Sequence, residues 1–159
     1  MAGSERQADE LEAMELGAAD WSMALDGAVM ESVDRDVGCD MSVEQGGVLV
    51  GQVEPGTRSV WIRHSIVAVG AVSKPASFTF THEAWNHIHA VIDASPSDLE
   101  IVGWYHSHPD YGVFLSEHDL FIHRHFFPQP FHVALVVDPL RATSGWFGWA
   151  DGQIEPIVM

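Results

Sequence analysis

Residues 99–119, LEIVGWYHSHPDYGVFLSEHD, constrain the fold more than any other part of the chain. Leu99–Tyr105 is a short apolar run of strand type that leads into His106 and His108. Residues two apart on a strand point to the same side, so both imidazoles face one point. Pro109 cannot extend a sheet ladder and ends the strand. Ser116 with Asp119 three residues on has the form of a helix N-cap and its acidic third residue, which starts a helix running to about Phe127. The helix returns Asp119 toward the point the two rings face. Two imidazoles and one carboxylate are the set a catalytic zinc uses when its fourth position is left to water, and zinc lowers the pKa of that water to about 7.

The flanking segments suit a sheet around that unit. Residues 43–53 read as a strand, with Val48, Leu49 and Val50 between glycines, and Glu54–Thr57 carry turn chemistry. Residues 58–72 are β-rich, and Phe78 and Phe80 alternate on a short strand. Thr81 caps a helix whose stripe is Ala84, Trp85, Ile88, Val91 and Ile92. FHVALVVDP, residues 131–139, is near-continuously apolar and predicts a strand buried on both faces. Residues 144–150 and 153–159 predict two closing strands. From Trp21 to about Asp36 the spacing is loosely helical, broken at Gly27 and stopped at Gly38. Residues 1–20 predict an acidic tail or weak helix, and 21–159 one α/β domain: a central mixed sheet with two or three helices.

Composition narrows the function. The 159 residues carry a net charge of −16. Residues 1–40 hold eleven acidic groups against Arg6 and Arg35, a net of −9, which leaves −7 for the rest. Lys74 is the one lysine and no basic patch is visible, which disfavours nucleic acid. No run approaches the roughly 18 residues of a membrane span, and the first ten residues lack the pattern of a signal peptide. A single cysteine, Cys39, suits a reducing compartment. A cytoplasmic protein is the expectation.

A proton acceptor is expected beside such a metal. Glu44 stands before Gln45-Gly46-Gly47 at the head of the Val48–Val50 strand, where paired glycines allow close backbone approach. We assign Glu44 as general acid/base. Taken alone, each feature has a plainer reading: His-x-His as polar surface, Ser-x-x-Asp as a cap, Glu44 as an exposed acid. Their combination favours the metal site. His82, His87 and His89 are expected on a helix surface and His64 on a strand. His118, His123, His125 and His132 lie near the site in sequence and could form a histidine-only site or support the first metal by hydrogen bonds from behind.

Together, Glu44-Gln45-Gly46-Gly47 with Leu49 and Gly51, His106-Ser107-His108-Pro109, Ser116 and Asp119 resemble the signature of the JAMM (MPN-plus) zinc metalloproteases. Gly103-Trp104-Tyr105 and Val136-Val137-Asp138-Pro139 are similar too, and the resemblance covers about residues 22–158. It implies a cytidine-deaminase-like α/β fold. It also implies one catalytic zinc on His106, His108 and Asp119, with Glu44 moving the proton and Ser116 helping hold the oxyanion. The implied reaction is cleavage after the C-terminal glycine of ubiquitin or a ubiquitin-like protein, whose extended tail would add as a strand. A peptidase trimming a residue or adduct from a sulfur-carrier-type protein is the alternative. A non-catalytic scaffold is disfavoured because every ligand position is filled. Short connections resemble compact prokaryotic members. Some relatives carry a second, structural zinc using a cysteine; no cysteine lies in that region here. A deaminase is disfavoured by the absence of H-x-E with P-C-x-x-C.

Overall fold

The computed structural model describes residues 11–15 and 21–157. In chain order the elements are β1 (Leu11–Glu15), β2 (Ser22–Asp26), α1 (Gly27–Val37), β3 (Gly46–Glu54), β4 (Ser59–Val67), β5 (Val72–Lys74), β6 (Ser77–Thr79), α2 (His82–Asp93), β7 (Glu100–Ser107), α3 (Glu117–Phe126), β8 (Val133–Asp138), β9 (Thr143–Ala150) and β10 (Gln153–Ile157). One mixed sheet runs β1-β2-β4-β3-β7-β8-β9-β10, and β5 with β6 forms a separate two-stranded ribbon. The joints β2/β4 and β7/β8 are parallel. The second is closed by α3, since parallel neighbours need a crossover.

Alternation along the strands sorts the core into two layers. Val29, Val33 and Val37 of α1 pack with Leu49, Ile62, Tyr105 and Leu135 on one face. Ala84 and Ile88 of α2 and Ile122 of α3 pack with Val48, Ile66, Trp104 and Ala134 on the other. Every residue of β8 is buried, as its apolar run predicts for a strand covered on both sides. The chain is therefore a single α/β domain with a mixed sheet and three helices. Among the described residues no helix is long and apolar enough to cross a membrane.

Two expectations need correction. The run from Trp21 is not helical until Gly27, because Ser22–Asp26 is a strand. Met23 and Leu25 alternate into the α1 layer, and parallel pairing with β4, from Ser22 against Ser59 to Leu25 against Ile62, satisfies the backbone. Asp26 then accepts the N–H of Ala28 and starts α1. Within the expected tail or weak helix, Leu11–Glu15 is instead a strand paired antiparallel with β2. The open edge of β2 offers backbone partners that no local propensity announces, so the sheet crosses the expected boundary at residue 21. Residues 1–10, 16–20, 158 and 159 lie outside the described residues.

Candidate metal centre

The site is built on the middle of the sheet. On β7, His106 lies between Gly46 of β3 and Val136 of β8. The ring of Trp104, two residues earlier on the same face, stacks on His106 at 4.5 Å and 7°. His108 continues past the strand end, held by its N–H to Val137 O at 2.8 Å. Ser107, on the opposite face, ties in the Glu44 segment: its N–H donates to Gln45 O at 2.9 Å, and its Oγ accepts from Gln45 N at 2.8 Å. Gly46 and Gly47 make this approach possible. A Cβ on Gly46 would lie 2.6 Å from Tyr105 O, and one on Gly47 only 2.1 Å from Ile66 O.

Asp119 is aimed by the start of α3. Ser116 Oγ accepts the Asp119 N–H at 3.1 Å, and Asp119 Oδ2 accepts the Ser116 N–H at 2.9 Å, a complete capping box. The same Oδ2 lies 3.1 Å from both His106 Nε2 and His108 Nε2. Those two nitrogens are 3.0 Å apart. Glu44 Oε1 stands 4.0 Å from His108 Nε2. The ligand atoms of Glu44, His106, His108 and Asp119 all fall within 4.8 Å of one another, and all four residues are buried.

The donor set fits a zinc ion. Tetrahedral ligands at about 2.0–2.1 Å from zinc sit roughly 3.3 Å from one another, close to the spacing of the two nitrogens and Oδ2. Gly112 O, which only accepts, lies 3.2 Å from His108 Nδ1. That nitrogen therefore carries a proton, which leaves Nε2 as the ring nitrogen directed at the cluster. Glu44 Oε1 has no hydrogen-bond partner among the described residues although it is buried. A stranded buried carboxylate oxygen is costly unless a cation or a reacting group engages it. His106, His108 and Asp119 would hold the ion.

Electrostatics separate the two carboxylates. Burial pushes Glu44 up to about 7, with His108 pulling it down and Asp119 pushing it further up. Burial also acts to raise Asp119, but hydrogen bonds to His106 and His108 overcome it and hold the carboxyl well below the usual range. Burial drives His106 down. Burial acts the same way on His108, but Asp119 and Glu44 outweigh it and raise that ring. Near neutral pH, Glu44 alone of the two acids is poised to trade a proton.

The structure brings together Glu44, His106, His108 and Asp119, and places Ser116 as the cap of the helix that carries Asp119. The nearby histidines divide. His123 Nδ1 accepts from Trp104 Nε1 at 3.0 Å, so it stands behind the ring on which His106 stacks; burial pushes it down to about 3. His132 takes the N–H of Gln129 and lies 3.2 Å from Ile101 O. His118 lies 3.0 Å from Thr79 Oγ1. His64, His82 and His89 are exposed and His87 is half-buried. Ser107 and Asp138 are the supporting residues that sequence reasoning missed. Ser107 sits inside the His-x-His-Pro motif and Asp138 inside the Val136–Pro139 flank, but neither spacing reveals a contact.

Comparison with known proteins gives a consistent result. Residues 25–127 match the family described as JAB1/Mov34/MPN/PAD-1 ubiquitin protease. COP9 signalosome complex subunit 5 of Drosophila melanogaster is 32% identical over 113 residues, 65% of this chain and 32% of that protein. The Eremothecium gossypii subunit is 35% identical over 116 residues, 67% of this chain and 25% of its own length. NAD(+) hydrolase TcpA of a Theionarchaea archaeon is 28% identical over 125 residues, 78% of this chain and 36% of that protein. The chain thus spans about a third or less of these relatives. Among solved structures, protein DSY2949 from Desulfitobacterium hafniense shares the fold, with a TM-score of 0.62 at 19% identity, over 83% of this chain and 87% of the other.

Proposed function

The chain belongs to the JAB1/Mov34/MPN/PAD-1 family, and on that premise we propose that it is a zinc-dependent isopeptidase or peptidase. It cleaves after the C-terminal glycine of a ubiquitin-like protein, to deconjugate or to mature it. One observation carries the reading. Beside a triad bound up with itself stands a fourth buried residue, the carboxylate Glu44, with a free oxygen and a pKa raised to about 7. Structural metal sites close on their ligands, whereas hydrolytic ones keep a base beside an open position.

Zinc bound there supplies a Lewis acid that polarises the scissile carbonyl and acidifies water. Glu44, ionised near neutral pH, takes the proton of the attacking water at the carboxylate oxygen that has no other partner. It then passes that proton to the leaving amine. As a cap, Ser116 Oγ uses a lone pair to accept the Asp119 N–H, which leaves its own O–H to donate to the developing oxyanion. The extended substrate tail engages by strand addition. The free, exposed Cys39 suits a cytoplasmic setting.

Glu44→Gln tests the assignment. The variant is expected to keep one zinc per chain and to lose about 10²–10⁴ of turnover, the share a general base supplies. Zinc loss in that variant would make Glu44 a ligand instead. As bait in lysate, the same variant is expected to hold a small β-rich protein with a glycine-ended tail. Recovery of stable, unmodified partners alone would shift the reading to a scaffold.

A further inference from the structure

We propose that Asp138, at the end of β8, is the positioning residue of the metal centre, acting on His108 through the Asp110–Gly112 loop. The proposal rests on His108 being a metal ligand. Asp138 is completely buried. Its Oδ1 accepts the N–H groups of Asp110 at 3.0 Å, Leu140 at 3.1 Å and Arg141 at 3.0 Å. Its Oδ2 accepts the N–H of Gly112 at 2.8 Å. Burial would raise this carboxyl, yet the N–H groups of Asp110, Gly112, Arg141 and Leu140 together hold it below the usual range. It therefore stays ionised and accepts from all of them.

These bonds decide where the loop points. Asp110 and Gly112 both have left-handed backbone, with φ of 65° and 86°. That conformation turns the Gly112 N–H inward to Asp138 while its carbonyl meets His108 Nδ1 at 3.2 Å. One glycine thus converts the Asp138 charge into the orientation of a ligand ring. On the outside, Arg141 donates to Asp110 O at 2.7 Å and to Asp110 Oδ1 at 3.0 Å, and its Nε stands 3.6 Å from Asp138 Oδ2. The loop also reaches the Glu44 side: Tyr111 O–H donates to Pro75 O at 2.6 Å, and the neighbouring Lys74 O accepts the Glu44 N–H at 2.9 Å. One buried carboxylate is thereby linked both to a ligand and to the segment that carries the base.

Asp138→Asn separates positioning from packing. Its amide oxygen can keep the three partners of Oδ1, but its NH2 then confronts the Gly112 N–H, so the variant breaks the hydrogen bond that directs His108. Zinc affinity of the full chain, measured by competition with a chromophoric chelator, is expected to fall about 10–100-fold. Arg141→Gln, which removes the exposed latch and leaves the Gly112 bond in place, is expected to change it less than about fivefold. Asp138→Asn with wild-type zinc affinity and a lowered melting temperature would overturn the proposal, since that is a structural role alone. A wild-type chain that takes up no zinc would overturn the reading of the centre itself, a different failure. If the variant does not fold, nitrogen-edited NMR of the zinc-loaded wild type decides. A His108 Nδ1–H protected from exchange supports the proposal, and a fast-exchanging one overturns it.

Discussion

The two layers on either side of the sheet are filled by different chemistry. Against α1 the layer is mainly aliphatic, and its polar exception is closed on itself: Tyr105 O–H donates to Asp36 at 2.7 Å. Against α2 and α3 the layer adds an aromatic cluster to its aliphatic residues, with Phe80 stacked on Trp85 at 4.6 Å and Trp104 on Phe127 at 5.7 Å, and it ends on His106 and His123. Consecutive residues of β7 enter both layers, Tyr105 the first and Trp104 and His106 the second. Among the described residues, no buried side-chain atom without a partner belongs to the first layer, whereas Glu44 Oε1, His106 Nδ1 and His123 Nε2 lie on the side of the site, Trp85 Nε1 packs against the second layer, and Trp61 Nε1 and Arg63 Nε lie on β4. One face is arranged for stability. The other gives up polar satisfaction where charge has to be held for chemistry.

If the layers are independent in this way, the largest effects separate cleanly. His108→Ala is expected to lose stoichiometric zinc and reduce hydrolysis to background while the metal-free chain stays folded. Zinc retained at full occupancy would show that the ligand set is misassigned. Leu135→Ala, in the α1 layer, is expected to lower unfolding free energy in denaturant by about 2–5 kcal/mol, the cost of a buried leucine cavity. Zinc affinity should not change with it; a parallel loss would show that the layers act as one unit. Trp104→Phe probes the other layer. It keeps an aromatic ring under His106 but strands His123 Nδ1, at an expected cost of about 1–3 kcal/mol. An unchanged stability would mean that the Trp104–His123 bond contributes little.

The same contrast explains what could be read from the chain. The β7–loop–α3 unit was legible because its information is local: two rings two residues apart, a proline stop, and a cap three residues before its acid. Glu44 was legible through the glycines beside it. Strand β2 was not, since Leu25 with Ala28 and Val29 also fits the i, i+3, i+4 spacing of a helix, and the partner that decides is β4, far along the chain. β1 depends wholly on the edge that β2 presents. Asp138 is 26 and 28 residues from the loop amides it binds, and His123 is 19 from Trp104. Contacts at such separations leave no periodic trace, so the supporting residues of the site emerge only once the sheet has assembled.

The smallest expected effect tests whether the site carries a cost in stability at all. Glu44 has a folded pKa of about 7, above its ordinary 4.5. A group raised on folding contributes its full stability below the unfolded value, and the contribution is lost as pH rises through the folded one. The metal-free protein should therefore lose part of its stability between about pH 4.5 and 7 on account of this carboxyl. Glu44→Gln, which cannot ionise, should escape that loss. Its metal-free melting temperature is expected to match the wild type near pH 4.5 and to exceed it at about pH 8. Screening discounts the full shift. A difference of about 2–4 °C remains as the expectation, the change that about 1 kcal/mol makes in a domain of this size. Zinc should erase the difference by supplying the charge that Glu44 lacks in the empty protein. Equal melting temperatures above the folded pKa would mean that the buried carboxylate is already compensated, and the contrast between the two layers would then rest on packing alone.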